Sequence, residues 1–191
     1  MKYDKESYIT ANYDPVKWKN HVNVKTLEEH SNLLVGSVLD IGCNHGSTTY
    51  WLKDFNVTKI TGIDINNESL TYAKRLFKDI EIPNNFINLD LTKKILDETF
   101  DTVICFHTLE HIYPEDVDDF LTNIYSMLKF NGYIILGLPY EHAYSDPCHV
   151  AFYNEQSLID IMTKNSFEPV ECFKDDRWNE KNILTGIFIK K

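Results

Sequence analysis

The chain has no apolar run approaching the roughly 20 residues of a membrane-spanning helix. Its first residues, Met1-Lys2-Tyr3-Asp4-Lys5-Glu6, lack the apolar stretch of an export signal, so a cytoplasmic setting is expected. Four cysteines, Cys43, Cys105, Cys148 and Cys172, are scattered with no Cys-x-x-Cys pair. That fits buried thiols in a reducing compartment better than disulfides or a zinc knuckle. Positive charge is scarce: 19 Lys and Arg stand against 29 Asp and Glu, for a net charge of −10. No basic cluster exceeds Lys93-Lys94 or Lys190-Lys191. Nucleic-acid binders usually present a basic stripe, so the balance disfavours nucleic acid and favours a small-molecule or glycan substrate. Internal repeats, low-complexity tracts and Pro/Gly/Ser linkers are also missing, and no feature sets an oligomeric state.

What remains is an ordinary globular composition, with 43% hydrophobic and 25% charged residues over 191 positions. A chain of this length forms one domain with a substantial core. Residues 1–35 read as an N-terminal helical extension, helical around 25–34 and carrying Tyr3, Tyr8, Tyr13 and Trp18. These aromatics pack on the domain or close over a ligand. From residue 36 to 191 the pattern alternates, with strands expected at 37–41, 59–64, 85–89, 100–106 and 133–138. Helices are expected at 47–55, 68–78, 115–128 and 154–165, with Asn66 or Asn67 capping the second and Pro114 near the start of the third. Two final strands, 167–173 and 182–189, have no helix-length stretch between them and predict an antiparallel hairpin. Strands alternating with helices imply right-handed crossovers and a mostly parallel sheet covered on both faces, a Rossmann-like α/β fold.

The stretch Val38-Leu39-Asp40-Ile41-Gly42-Cys43-Asn44-His45-Gly46 is an apolar run ending in an acid and a small-residue turn. A second apolar run then ends at Gly62-Ile63-Asp64. Strand, glycine turn, helix, strand and acid is how a nucleoside-bearing cofactor is held: the turn lets the backbone approach, and the second acid takes the ribose hydroxyls. The missing Gly-x-Gly-x-x-Gly and the terminal hairpin argue against a nicotinamide oxidoreductase.

Together these stations resemble the class I S-adenosylmethionine-dependent methyltransferases over about residues 36–190. VLDIGCNHG resembles that family's first motif, GIDINNESL its acidic second and INLDL its adenine-contacting third. FDTVICFHTLEHI resembles the fourth, and MLKFNGYIILGLP the helix–Gly–strand segment usually seen as Leu-Lys-Pro-Gly-Gly. Asn44 replaces the family's middle glycine, and asparagine tolerates left-handed backbone angles better than most residues. The resemblance implies a seven-stranded sheet with a reversed terminal strand and S-adenosyl-L-methionine as cofactor. It implies that Gly42, Cys43, Asn44 and Gly46 pass under the methionine part, with Asp40 fixing their loop. It assigns Asp64 to the ribose hydroxyls with Ile65 beside it, Asp90 to the adenine amine, and Leu91 to a backbone N–H and an apolar wall.

After strand four, His107, Glu110 and His111 stand at i, i+3 and i+4, so a helix there would project all three from one face. His149 follows strand five in Asp146-Pro147-Cys148-His149-Val150-Ala151-Phe152. Both segments leave the carboxyl ends of strands, where an open α/β sheet places its ligand. Three imidazoles and a carboxylate there can bind a divalent metal, manganese, iron or zinc being favoured over magnesium. The arrangement is similar to that of the small-RNA 3′-end 2′-O-methyltransferases, whose metal site joins a Glu-x-x-Glu-His segment to a later histidine. Glu110, His111 and His149 match that pattern, and His107 takes the position of the first glutamate. Two other readings stand beside the metal: a histidine general base at His107, His111 or His149, and a structural role for the Leu-Glu-His-Ile segment. His21, His30, His45 and His142 have weaker claims.

The methyl of a sulfonium is already activated, so the protein supplies position and proton handling. Surplus histidines favour a hydroxyl acceptor and O-methylation. The expected acceptor is a small polar molecule such as the sugar of a nucleotide sugar or glycan. The alternatives are an RNA end and a cofactor-binding regulatory partner without catalysis.

Overall fold

The computed structural model describes residues 15–141, 146–176 and 182–191; Tyr3, Tyr8, Tyr13 and His142 lie outside them. Seven strands form one sheet: β1 Val35–Ile41, β2 Asn56–Asp64, β3 Asn84–Asn88, β4 Phe100–Phe106, β5 Leu128–Pro139, β6 Phe167–Asp175 and β7 Ile183–Lys190. Their spatial order is β3-β2-β1-β4-β5-β7-β6. Pairs from β3 through β5 are parallel, while β7 runs antiparallel to both β5 and β6. The expected hairpin is therefore present, and its second arm lies inside the sheet, not at its edge.

The α-helices are α1 Val22–Glu29, α2 Asn67–Leu76, α3 Val117–Met127 and α4 Glu155–Lys164. Alternation along the strands divides the core in two. Val38, Ile60, Ile104 and Ile135 face one side with Leu27 of α1 and Leu70 and Ala73 of α2. Leu39, Ile63, Val103, Ile134 and Leu136 face the other with α3 residues Phe120 and Leu121 and α4 residues Leu158 and Met162. Helices thus cover both faces, as a parallel sheet requires. Leu27 and Leu34, from the stretch before β1, are fully buried in the first of these layers.

Several elements differ from expectation for local reasons. The expected helix at 47–55 is a 3-10 helix, Thr49–Asp54. Its Thr48-Thr49-Tyr50-Trp51 start is β-branched and aromatic, which disfavours α-helix, and the Thr49 hydroxyl is spent on Asp40. The helix expected at 25–34 begins earlier, capped by His21 Nδ1 accepting from the Asn23 N–H at 3.2 Å, and ends at Glu29 before a separate 3-10 turn, Ser31–Leu33. Asn66, not Asn67, caps α2. Asn131-Gly132, expected as a turn into strand five, is a bulge within a longer β5. There the register against β4 jumps from Phe100↔Leu128 to Thr102↔Tyr133, and Asn131 takes φ 60°.

Candidate active site

β1 sits where the connection order reverses, between β2 and β4, and its carboxyl end opens the crevice in which doubly wound sheets take ligands. Asp40 lies beside Gly62 of β2 and Ile104 of β4, and the loop that follows passes through three left-handed positions, Gly42 (φ 71°), Asn44 (φ 48°) and Gly46 (φ 82°). A Cβ on Gly42 would lie 2.0 Å from Thr108 Oγ1, so the loop presses directly on the segment that follows β4. A Cβ on Gly46 would meet Ala73 and Phe77 at 3.3 Å, so this glycine lets the loop pack on the α2 side. The N–H groups of Gly42 and Cys43 donate to Ile63 O at 2.9 and 3.1 Å, fastening the turn to β2.

Asp64 binds the loop from the other side. Its Oδ2 accepts from Asn44 N–H at 2.9 Å and its Oδ1 from Asn66 N–H at 2.7 Å. Burial raises the Asp64 pKa against the lowering effect of these backbone donors. Asp40 is buried and accepts from the Thr49 hydroxyl. Burial, opposed by that hydrogen bond and aided by the Asp64 charge, pushes its carboxyl up to about 7. The Cys43 side chain is buried, and burial raises its thiol well above the ordinary value. Ile65 is exposed at the mouth, whereas Leu91 is buried and its carbonyl accepts from Asn123 Nδ2 at 2.8 Å. Asp90 is engaged by Thr92 N–H, the Thr92 hydroxyl and Lys93; burial raises its pKa, and these donors outweigh that effect and lower it. His45 is buried against Tyr72 with ring centroids 5.3 Å apart, and burial lowers its pKa.

The segment after β4 is not the α-helix that would align three side chains. His107 takes φ 52°, and only Leu109–His111 form a 3-10 turn. The structure brings Glu110, His111 and His149 together, one ligand atom of each lying within 4.8 Å of the others. His107 is outside that group because the chain reverses hand at its backbone; its Nδ1 approaches Glu110 Oε1 at 3.5 Å. Glu110 is 2% exposed, and neither of its carboxylate oxygens makes a hydrogen bond among the described residues. His111 Nδ1 lies 3.1 Å from Cys148 O, and a carbonyl only accepts, so Nδ1 carries a proton. Val150 and Ala151 N–H donate to Glu110 O at 2.9 and 3.2 Å, pinning the His149 loop onto the turn.

Two contributors carry no signal in the sequence, and a third is signalled there only by its Trp18. Thr108 donates to Ile41 O at 3.2 Å beneath Gly42. Thr49 holds Asp40 across nine residues. The 3-10 segment Pro15–Asn20 bridges the mouth: Trp51 Nε1 donates to Pro15 O at 3.1 Å, Trp18 stacks on His21 at 4.0 Å, and His21 meets the edge of His107 at 6.3 Å. All three depend on tertiary contact, to which local spacing is blind. His30 bridges Thr26 O and Glu171 instead.

A mostly parallel sheet with one reversed strand, a glycine loop after β1 and an acid after β2 define a class I methyltransferase fold. The sequence agrees: residues 39–136 match the family model described as "Methyltransferase domain". The chain belongs to that family, the class I S-adenosylmethionine-dependent methyltransferases. It is 32% identical over 104 residues to a tRNA U34 carboxymethyltransferase of Nautilia profundicola, covering 50% of this chain and 32% of that protein. It is 30% identical over 132 residues to a ubiquinone biosynthesis O-methyltransferase of Rickettsia bellii, covering 67% and 49%. The chain thus spans about half, or less, of the length of these relatives. Among solved structures, the N-methyltransferase NodS of Bradyrhizobium japonicum, in complex with S-adenosyl-L-homocysteine, superposes with a TM-score of 0.74 at 20% identity over 94% of this chain and 93% of that one. The 1,6-didemethyltoxoflavin-N1-methyltransferase of Burkholderia thailandensis gives 0.76 at 17% identity over 92% and 81%. At these identities the likeness concerns the fold.

Proposed function

We propose that the chain transfers the methyl group of S-adenosyl-L-methionine to a hydroxyl of a small polar acceptor, such as a sugar of a nucleotide sugar or glycan. The observation that carries this reading is the contact between Gly42 and Thr108, which sets the Glu110–His111–His149 group, with His107 beside Glu110, against the loop assigned to the cofactor. In the transfer, the acceptor oxygen donates a pair to the methyl carbon, the S–CH₃ bond breaks with its pair on sulfur, and the hydroxyl proton passes to the histidine centre. Asp64 holds the ribose hydroxyls, with Asp90, Ile65 and Leu91 around the adenine. The acidic balance supports a small-molecule or glycan partner over nucleic acid. Four free cysteines support a reducing, cytoplasmic setting.

The test is calorimetry with S-adenosyl-L-homocysteine, followed by transfer of labelled methyl from S-adenosyl-L-methionine to a nucleotide sugar and to an RNA 3′ end. The expected outcome is methylated sugar, with His149→Ala lowering turnover while homocysteine-adduct affinity is kept. Turnover unchanged by His149→Ala would remove the histidine assignment. Salt-sensitive RNA binding with RNA methylation would replace the sugar reading. Cofactor binding without transfer would favour a regulatory partner.

A further inference from the structure

We propose that Thr49 is a positioning residue whose hydroxyl holds Asp40 as a carboxylate beneath the glycine loop, so that the pocket floor favours the sulfonium of S-adenosyl-L-methionine over the neutral sulfur of S-adenosyl-L-homocysteine. The proposal goes beyond the reading of the acceptor and rests only on the family to which the chain belongs.

Three observations carry it. Asp40 is buried, Thr49 is fully buried, and the Thr49 hydroxyl donates to Asp40 Oδ2. A carboxylate only accepts, so a donor aimed at it from inside the core stabilises the charged form against burial. The pair also brackets the loop assigned to the cofactor, Asp40 standing before Gly42 and Thr49 after Gly46. The Tyr50 N–H donates to Gly46 O at 2.8 Å, which fixes the start of the 3-10 helix Thr49–Asp54 to the end of that loop. The hydroxyl is thereby carried back to Asp40 by the same backbone that forms the floor.

The third observation is the company Asp40 keeps. Asp64 stands at the end of β2, and its charge adds to the effect of burial on Asp40. Cys43 and Cys105 are the other titratable groups beside it; burial first, then the neighbouring carboxylates, raise both thiols, so they stay neutral. Neither Asp40 nor Asp64 feels a lysine, arginine or histidine among the described residues. Two acids enclosed without a counter-charge are costly and match a ligand that brings positive charge with it. S-adenosyl-L-methionine brings two such charges, the ammonium and the sulfonium. When the methyl leaves, the S–CH₃ pair returns to sulfur and the second charge is gone. The product therefore loses an attraction that the substrate had. The gain lies in exchanging product for substrate and not in the transfer itself, because the attraction acts on the ground state.

The test needs no turnover. The Asp40 carboxyl carbon of the full chain is followed against pH by ¹³C NMR, its signal assigned by loss in Asp40→Asn. It should titrate at a higher pH in Thr49→Val than in the wild type, and Thr49→Ser should return it. Calorimetry then compares S-adenosyl-L-homocysteine with sinefungin, whose amine carries positive charge in place of the sulfonium. At about pH 8, above the value of about 7 to which burial pushes Asp40, the preference for sinefungin should fall roughly three- to tenfold in Thr49→Val. It should recover in Thr49→Ser, and in an Asp40→Asn background Thr49→Val should change it no further. In the wild type the preference should rise with pH through the titration of Asp40, and this rise should be missing in Asp40→Asn. Should Thr49→Val fail to fold, that wild-type pH profile decides. An Asp40 signal that titrates alike in Thr49→Val, an unchanged preference, or a wild-type preference flat in pH overturns the proposal. Binding of neither ligand by the wild type would remove the cofactor assignment along with it.

Discussion

Asp64 serves two partners, since the oxygens assigned to a ribose already accept N–H groups from Asn44 and Asn66. A carboxylate has lone pairs for both, so a ribose held there as proposed would add to a preformed arrangement and would not have to build it. Asp64→Ala should therefore abolish detectable S-adenosyl-L-homocysteine binding in calorimetry, and affinity equal to wild type would count against the ribose assignment. Gly42→Ala is harsher on the fold, because the new methyl meets Thr108 Oγ1 at 2.0 Å in a backbone of φ 71°. A loss of about 1–3 kcal/mol in urea unfolding is expected. Gly42, Gly46 and Asp64 were legible in the sequence because the turn and the acid recur at fixed places around a strand. Thr108 and Thr49 were not, since their partners Ile41 and Asp40 are reached only once β1, β4 and the 3-10 helix are side by side.

At the scale of elements, apolar runs such as 100–106 coincide with their strand, because a strand buried on both faces needs no alternation to be recognised. Helix type was less legible. Thr49–Asp54 and Leu109–His111 became 3-10 because side-chain bonds and a left-handed residue at His107, not propensity alone, set their geometry. One cap, Asn66 of α2, was among those offered by the sequence, whereas Asn154, expected inside its helix, instead caps α4: it accepts from Ser157 N–H at 3.0 Å while Ser157 Oγ accepts from Asn154 N–H at 2.9 Å. Asn154→Ala should cost about 1 kcal/mol in thermal or urea unfolding. The segment Pro15–Asn20 is tied across the mouth by the Trp51 indole. Trp51→Phe removes that donor, and amide exchange over 15–21 should quicken while exchange in β1 and β4 stays at its wild-type rate.

Burial of Asp40 makes the stability of the whole molecule depend on pH in an unusual sense. Asp40 titrates near 7 in the fold, against an ordinary 3.8. A carboxyl raised in this way favours the protonated native state, so its contribution is full below about pH 4 and is lost as pH rises through 7. The span amounts to about 4 kcal/mol at most. Comparing urea unfolding of wild type and Asp40→Asn between pH 4 and 8 isolates it: the wild type should lose stability relative to the variant as pH rises. A constant difference would show that Asp40 does not titrate in this range. Fold class and strand succession were legible over the whole molecule, since βα alternation admits few topologies. The insertion of β7 between β5 and β6 was not, because nothing in 182–189 distinguishes an inner strand from an edge strand.

That insertion has a consequence for biogenesis. Among the described strands β7 is the last to be synthesised, yet it supplies the neighbour that both β5 and β6 require. Until Ile183–Lys190 leaves the ribosome, the nascent sheet carries two bare, hydrogen-bonding margins on apolar strands, a state that invites intermolecular pairing. Completion of the sheet thus waits on the synthesis of β7, and nascent chains stalled before Ile183 are the species on which holdase chaperones would act.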